Sequence, residues 1–200
     1  MTRLLLATTN PGKLDEMREA LAGTPVELVT LRDLPALPEP DETGATFAEN
    51  ARLKAVYYAS RTGIDALGED SGLAIDALDG APGVHSARFL SRDATYLERF
   101  AEIERRLSAR PSAPRTARFV CAVAVASGDT VLFESAATVE GVIAREPSGT
   151  HGFGYDPIFI YPPYAATLAS VGRTEKLSVS HRGQACREVA DWLRRHTRTY

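Results

Sequence analysis

Two β-rich runs, residues 116–126 and 130–144, are separated only by Ser127-Gly128-Asp129. A glycine between small polar residues marks a tight turn, so the pair reads as one long hairpin. Around it the chain alternates strand and helix patterns. Residues 3–7 form a short apolar strand, Thr8-Thr9-Asn10-Pro11-Gly12 a turn, and residues 13–21 a helix with Leu14, Met17 and Leu21 on one face. A second strand follows at 26–30 and a proline-rich loop at 34–40. Thr46-Phe47-Ala48-Glu49 fits a capping box opening a helix to about residue 61. Residues 65–68 are strand-like, followed by Glu69-Asp70-Ser71-Gly72 and another short strand at 73–77.

Farther on, Gly80-Ala81-Pro82-Gly83 is a turn, and residues 93–109 an amphipathic helix with Leu97, Phe100, Ile103 and Leu107 inward. A glycine-rich loop at 148–155 leads into Pro157-Ile158-Phe159-Ile160. From about residue 180 a last helix places Ala185, Val189, Trp192 and Leu193 at core spacing. Interleaved strands and helices plus one long hairpin predict an α/β fold with a mixed, twisted β-sheet flanked by helices. The 200 residues, 44% of them apolar, can build a sizeable core. With no repeat or long linker in view, residues 1–200 are expected to form a single domain.

Charge and cysteine usage remove several classes. A formal net charge of −3 argues against a general nucleic-acid binder. Cys121 and Cys186 offer neither a disulfide framework nor a metal spacing. The longest apolar run, 120–126, is too short to cross a bilayer, and residues 4–7 are too brief for a secretion signal. A soluble cytoplasmic protein is expected, with no membrane or nucleic-acid partner.

Lysine usage is more pointed. Of 23 basic residues only Lys13, Lys54 and Lys176 are lysines; the rest are arginines. If arginine serves the surface, lysine persists where a compact, strongly hydrated ammonium is needed. All three fall in or beside segments with chemical potential. Thr8 to Lys13 is a strand–turn–helix element whose helix N-terminus suits phosphate, though an ordinary βα turn looks alike. It is not a Walker A loop, because Leu14 follows the lysine. Asn50 and Lys54 share one helix face, with Glu42 just before that helix. The neighbouring carboxylates of Gly68-Glu69-Asp70-Ser71-Gly72 suit Mg²⁺ or a general base, and also a plain acidic turn. In Gly152-Phe153-Gly154-Tyr155-Asp156-Pro157 the glycines allow close backbone approach and the aromatics can stack on a base. Lys176 and Ser180-His181-Arg182 gather donors near a helix start. Cations, an acidic centre and an aromatic loop together point to a nucleotide.

In these blocks the chain resembles the inosine/xanthosine triphosphate pyrophosphatases, enzymes that remove noncanonical purine nucleotides. The resemblance runs from Leu4 to about Leu193 and also takes in Glu42-Thr43-Gly44, Gly80 to Gly83, Ser86-Ala87-Arg88 and Glu175-Lys176. Thr9, His151 and Ser170-Val171 depart from common family residues. The resemblance implies two α/β lobes with a central nucleotide cleft, and hydrolysis of dITP, ITP and XTP to monophosphate and pyrophosphate with Mg²⁺. A homodimer is implied too. Thr8, Thr9, Asn10, Pro11, Gly12 and Lys13 would hold the triphosphate with Lys54. Asp70 would be general base and, with Glu42, the metal centre. Asn50, Ser71, Phe153, Gly154, Tyr155, Asp156, Lys176, His181 and Arg182 would bind substrate. A pyrophosphatase for modified pyrimidine nucleotides and a non-catalytic nucleotide sensor are the alternatives.

Overall fold

The computed structural model describes residues 2–196; the ends of the expected domain at 1 and 197–200 lie outside them. In chain order the elements are β1 (Arg3–Ala7), α1 (Pro11–Ala20), β2 (Glu27–Thr30), α2 (Phe47–Thr62), β3 (Asp65–Ile75), α3 (Tyr96–Ser108), β4 (Thr116–Ser127), β5 (Thr130–Ile143), β6 (Phe159–Tyr161), β7 (Ala166–Thr167), α4 (Arg173–Val179) and α5 (His181–His196). The seven strands form one mixed sheet in the order β2-β1-β3-β4-β5-β6-β7. β1 pairs in parallel with β2 and β3, and β6 antiparallel with β5 and β7. The expected α/β class, mixed sheet and long hairpin are all present.

The chain divides into two compact units. The first holds Met1–Asp70, Cys121–Ala137 and His181–Tyr200; the second holds Ser71–Val120 and Thr138–Ser180. Strand alternation organises the first. Leu4 and Leu6 of β1 pack with Leu14, Met17 and Leu21 of α1 and Ala185, Val189 and Leu193 of α5. Leu5 and Ala7, on the other face, pack with Ala51, Ala55 and Ala59 of α2. A strand covered on both faces needs an unbroken apolar run, which explains Leu4-Leu5-Leu6-Ala7. In the second unit Leu73, Ile75, Phe100, Ile103, Leu107, Phe119 and Phe159 form the core, with Phe119 and Phe159 rings 4.4 Å apart.

Two expectations need correction, and one short helix is added to them. Glu69-Asp70-Ser71-Gly72 is not a turn: β3 runs unbroken through it. Leu97 does not face inward; it is 71% exposed, while Phe100, Ile103 and Leu107 of the same helix are buried. Helical spacing assigns a stripe, and Leu97 lies in the first turn at its margin. The short helix α4, which carries Lys176, was not anticipated. The capping box of α2 is as expected, with Thr46 and Glu49 each accepting from the other's backbone N–H.

α2 approaches β3 closely because both present minimal side chains at the contact. A Cβ at Gly68 would run into the carbonyl oxygen of Ala51 and stand 2.5 Å from the backbone nitrogen of Ala55. Backbone offers no flexible end that could yield. Gly68→Ala therefore pushes α2 off the strand and is expected to lower stability by about 1–3 kcal/mol, read as a lower urea midpoint at unchanged slope.

Candidate active site

β3 carries the centre of the site, and its alternation sends neighbouring carboxylates to opposite faces of the sheet. Asp70 follows Ala66 and Gly68 onto the α2 face. Its Oδ2 accepts a hydrogen bond from Asn50 Nδ2 at 3.0 Å, and its Oδ1 lies 3.2 Å from Lys54 Nζ. Asn50 and Lys54 reach it together because they stand one turn apart on α2. Lys54 Nζ is also 2.5 Å from Glu42 Oε1 and 3.2 Å from the carbonyl oxygen of Glu69. One ammonium thus draws Glu42 and Asp70 together. Burial raises the Asp70 carboxyl above its usual range, against the pull of Lys54 and Lys13. Burial also works against the Lys54 ammonium, but Asp70 and Glu42 outweigh it and raise its pKa.

Asn50, expected to contact substrate, is held from two sides. Asn50 is fully buried; its amide oxygen accepts from Gly44 N–H at 2.8 Å while its NH₂ holds Asp70. It ties the Glu42 segment to β3.

Glu69 follows Leu67 onto the opposite face and is 1% exposed. Its Oε2 is 2.8 Å from Lys13 Nζ, and its Oε1 accepts from Arg182 Nε and Nη2 at 3.2 and 3.1 Å. Arg182 Nη1 reaches Glu16 Oε2 at 2.5 Å. Two cations and two carboxylates therefore close a buried network joining α1, β3 and α5. The two carboxylates hold the Arg182 guanidinium charged despite burial. Sequence reading missed both acids as partners of Arg182. Glu16, one turn beyond Lys13 on α1, was the only local signal. The free Cys121 thiol donates to Glu69 Oε1 at 3.4 Å; burial pushes it well up, and pushes Cys186 to about 12, which disfavours the thiolate at both.

The segment Thr8 to Lys13 forms the expected β1–α1 turn. Thr8 Oγ1 accepts from Asn10 N–H at 3.2 Å, and Asn10 caps α1 by accepting from Lys13 N–H at 3.1 Å. Pro11 opens the helix, where its missing N–H costs nothing. Thr9, Asn10 and Pro11 are exposed beside the positive end of α1, with Gly12 and Lys13 half-buried.

In the second unit, Asp156 closes the glycine-rich loop. Its Oδ2 accepts from Phe153 N–H at 2.8 Å and pairs with Lys176 Nζ. That ammonium lies 4.9 Å from the centre of the Phe153 ring, a cation–π contact that fixes the ring from one side. Tyr155 is buried and its hydroxyl donates to the carbonyl oxygen of Ser86 at 2.9 Å. Gly154 takes the left-handed conformation between them, and Ser71, half-buried, follows Asp70 along β3. Each of the three lysines is therefore ion-paired with a carboxylate of a motif: Lys13 with Glu69, Lys54 with Glu42 and Asp70, Lys176 with Asp156. His181 opens α5, buried beside Arg182.

Asp70 and Glu42 fit the demands of Mg²⁺. They already close on one cation, the Lys54 ammonium, and Mg²⁺ takes one or two carboxylates and completes its shell with water and substrate phosphates. Among the described residues no group of three or more His, Cys, Asp or Glu side chains gathers for a metal, so a protein-only cage is not what they form. No helix among them is long and apolar enough to cross a membrane.

Comparison with known proteins gives a consistent answer. The Ham1 family model matches residues 4–192. A dITP/XTP pyrophosphatase of Exiguobacterium sp. is 47% identical over 189 residues, covering 94% of each chain. The dITP/XTP pyrophosphatase of Shigella flexneri is 43% identical over 97% of this chain and 99% of its own. Among solved structures, a HAM1 protein from Coxiella burnetii superposes with a TM-score of 0.89 at 40% identity, covering 96% of this chain and 98% of that one. Near-full-length likeness in both sequence and fold leaves one conclusion: the chain belongs to the Ham1 family.

Proposed function

We propose that this protein is a nucleoside-triphosphate pyrophosphatase that hydrolyses dITP, ITP and XTP to the monophosphate and pyrophosphate, clearing them before misincorporation. The observation that carries the reading is the buried Asp70 carboxylate, held by Asn50 and Lys54 and drawn toward Glu42 by the same ammonium. Pure binding of a polyanion does not call for two carboxylates at its centre; activating water does. The named activity of the relatives from Exiguobacterium and Shigella supports the same reaction class. Mg²⁺ dependence, cleavage of the α–β anhydride, a single catalytic domain over the whole chain, a cytoplasmic home and a homodimer belong to this proposal too.

Each residue has a task in it. Thr8 to Lys13 and Lys54 bind the polyphosphate, the helix end contributing N–H groups and the lysines point charges. Asp70 and Glu42 would hold Mg²⁺, which when bound neutralises phosphate charge. Asp70 takes the proton from the attacking water at its carboxylate oxygen, and Asn50 keeps that carboxylate oriented. Phe153 stacks on the purine, with Gly154, Tyr155, Asp156, Lys176 and Ser71 shaping its surroundings. His181 and Arg182 supply donors toward a 6-oxo group. A 6-amino group would leave those donors unpaired, at about 1–3 kcal/mol for each unmade bond. Glu16 and Glu69 hold the Arg182 plane for that work.

Pyrophosphate release measured across dITP, XTP, dGTP, dATP and dUTP with Mg²⁺ tests the reading: dITP and XTP are expected to lead, and a pyrimidine preference overturns the base assignment. Asp70→Asn is expected to lower kcat by roughly 10²–10⁴-fold with the fold retained by circular dichroism. In metal-free protein the Asp70 carboxyl is expected to titrate above 3.8 when followed by carbon-13 NMR. The folded value then exceeds the unfolded one. Its contribution to stability is present below the ordinary aspartate pKa and is lost as pH rises through the folded value.

A further inference from the structure

Ser86 lies outside every motif given a chemical role above, yet it is buried and fully engaged. It sits in the 3-10 segment Gly83–Arg88 of the second unit, 6% exposed. Its Oγ accepts from the backbone N–H of Leu73 at 2.9 Å and donates to the carbonyl oxygen of Gly83 at 2.7 Å. Its own carbonyl oxygen accepts from the Tyr155 hydroxyl at 2.9 Å. One residue therefore grips two segments at once: β3 just after Ser71, and the aromatic loop just after Phe153 and Gly154.

The surroundings make this grip stiff. A Cβ at Gly72 would meet Ser86 Oγ, and would stand 2.6 Å from the Gly83 carbonyl oxygen, so glycine at 72 is what lets the hydroxyl reach the strand. The chain beyond Ser86 is pinned by Arg99 of α3. This guanidinium is 3% exposed and donates to the carbonyl oxygens of Ala87, Phe89 and Ser91 at 3.0–3.1 Å. Tyr96 of α3 meets Tyr155 edge-on, with ring centres 5.3 Å apart. The loop bearing Phe153 and Asp156 is thus referenced to β3 through Ser86, and held there by α3.

We infer that Ser86 is a positioning residue for base recognition: its hydroxyl and carbonyl fix the Phe153–Asp156 loop against the strand that carries Ser71. The inference rests on the proposed nucleotide reading and adds a residue to it. The segments that Ser86 grips, through Leu73, Gly83 and Tyr155, all lie in the second unit with the aromatic loop, so its loss acts on the base side of binding. A filler with no function beyond packing would instead weaken all ligands alike through a general loss of fold.

The test uses full-length protein and two probes that separate the sides, inosine monophosphate and inorganic pyrophosphate, each titrated by calorimetry in the presence of Mg²⁺. Ser86→Ala is expected to weaken inosine monophosphate about tenfold, the order expected from loss of one buried hydrogen-bonding group, and to leave pyrophosphate affinity within about twofold. In turnover it raises KM for dITP by a similar factor with kcat little changed. Ser86→Cys, which keeps a weak donor and acceptor of similar size, recovers part of the loss. Ser86→Cys also serves if Ser86→Ala does not fold. Tyr155→Phe removes the hydroxyl that grips the Ser86 carbonyl, at a residue that itself shapes the base surroundings, so it is read as a cycle with Ser86→Ala, in which coupled rather than additive losses are expected. Equal weakening of both probes, or no change in either, overturns the inference. Failure of the nucleotide reading shows separately, as wild-type protein that releases no pyrophosphate from dITP while the binding ratio of the two probes remains measurable.

Discussion

Adjacent residues of a strand cannot share a face, and Glu69 and Asp70 are both buried carboxylates on β3. Each must find its own compensation, because an ionised carboxylate without a partner does not survive burial. That demand explains the placement of much of the first unit. On one face α2 brings Asn50 and Lys54 to Asp70, and Lys54 draws in Glu42. On the other, α1 and α5 bring Lys13 and Arg182 to Glu69, with Glu16 completing the pairing. The apolar alternation of β1 organises the same two faces, so core and charge networks obey one geometric rule.

Such an arrangement is a poor way to gain stability. Buried ion pairs recover little more than the desolvation they impose, and well-packed apolar residues would do as well. Their presence at the centre of the fold fits a site whose function needs fixed charges, with the surrounding leucine- and alanine-rich layers carrying the stability. Gly68 and the alanines of α2 belong to the same logic, since only small side chains let that helix come near enough for Lys54 to touch the strand.

Local signals in the sequence carry much of the fold. The Ser127-Gly128-Asp129 hairpin, the Thr46–Glu49 capping box and the apolar face of α1 each depend on residues a few positions apart, and each is present in the fold. The motif blocks were visible because residue type at fixed spacing carries chemistry. What escaped was depth and distance. The Glu16–Arg182 pair spans 166 positions and leaves no local trace. An acidic Glu-Asp-Ser-Gly stretch looks like a turn until both carboxylates are given partners from other elements. Asn50 reads as a helix-face residue, and only the fold reveals that its amide is enclosed. Leu97 fits the helical stripe, yet a spacing rule cannot say where the stripe ends.

A chain with three lysines, all of them engaged with motif carboxylates, has a practical property of its own. Lys13 and Lys54 have side chains only 17% and 13% exposed, and Lys176 3%. Chemistry directed at side-chain amines therefore has no neutral background on this molecule. Every ε-amino group that reacts reports on one of three identified ion pairs, so acylation kinetics followed peptide by peptide become a map of which pair opens first. The same scarcity makes a lysine-specific protease blind to the surface that arginine covers, and leaves cleavage after residues 13, 54 and 176 as a direct readout of local opening.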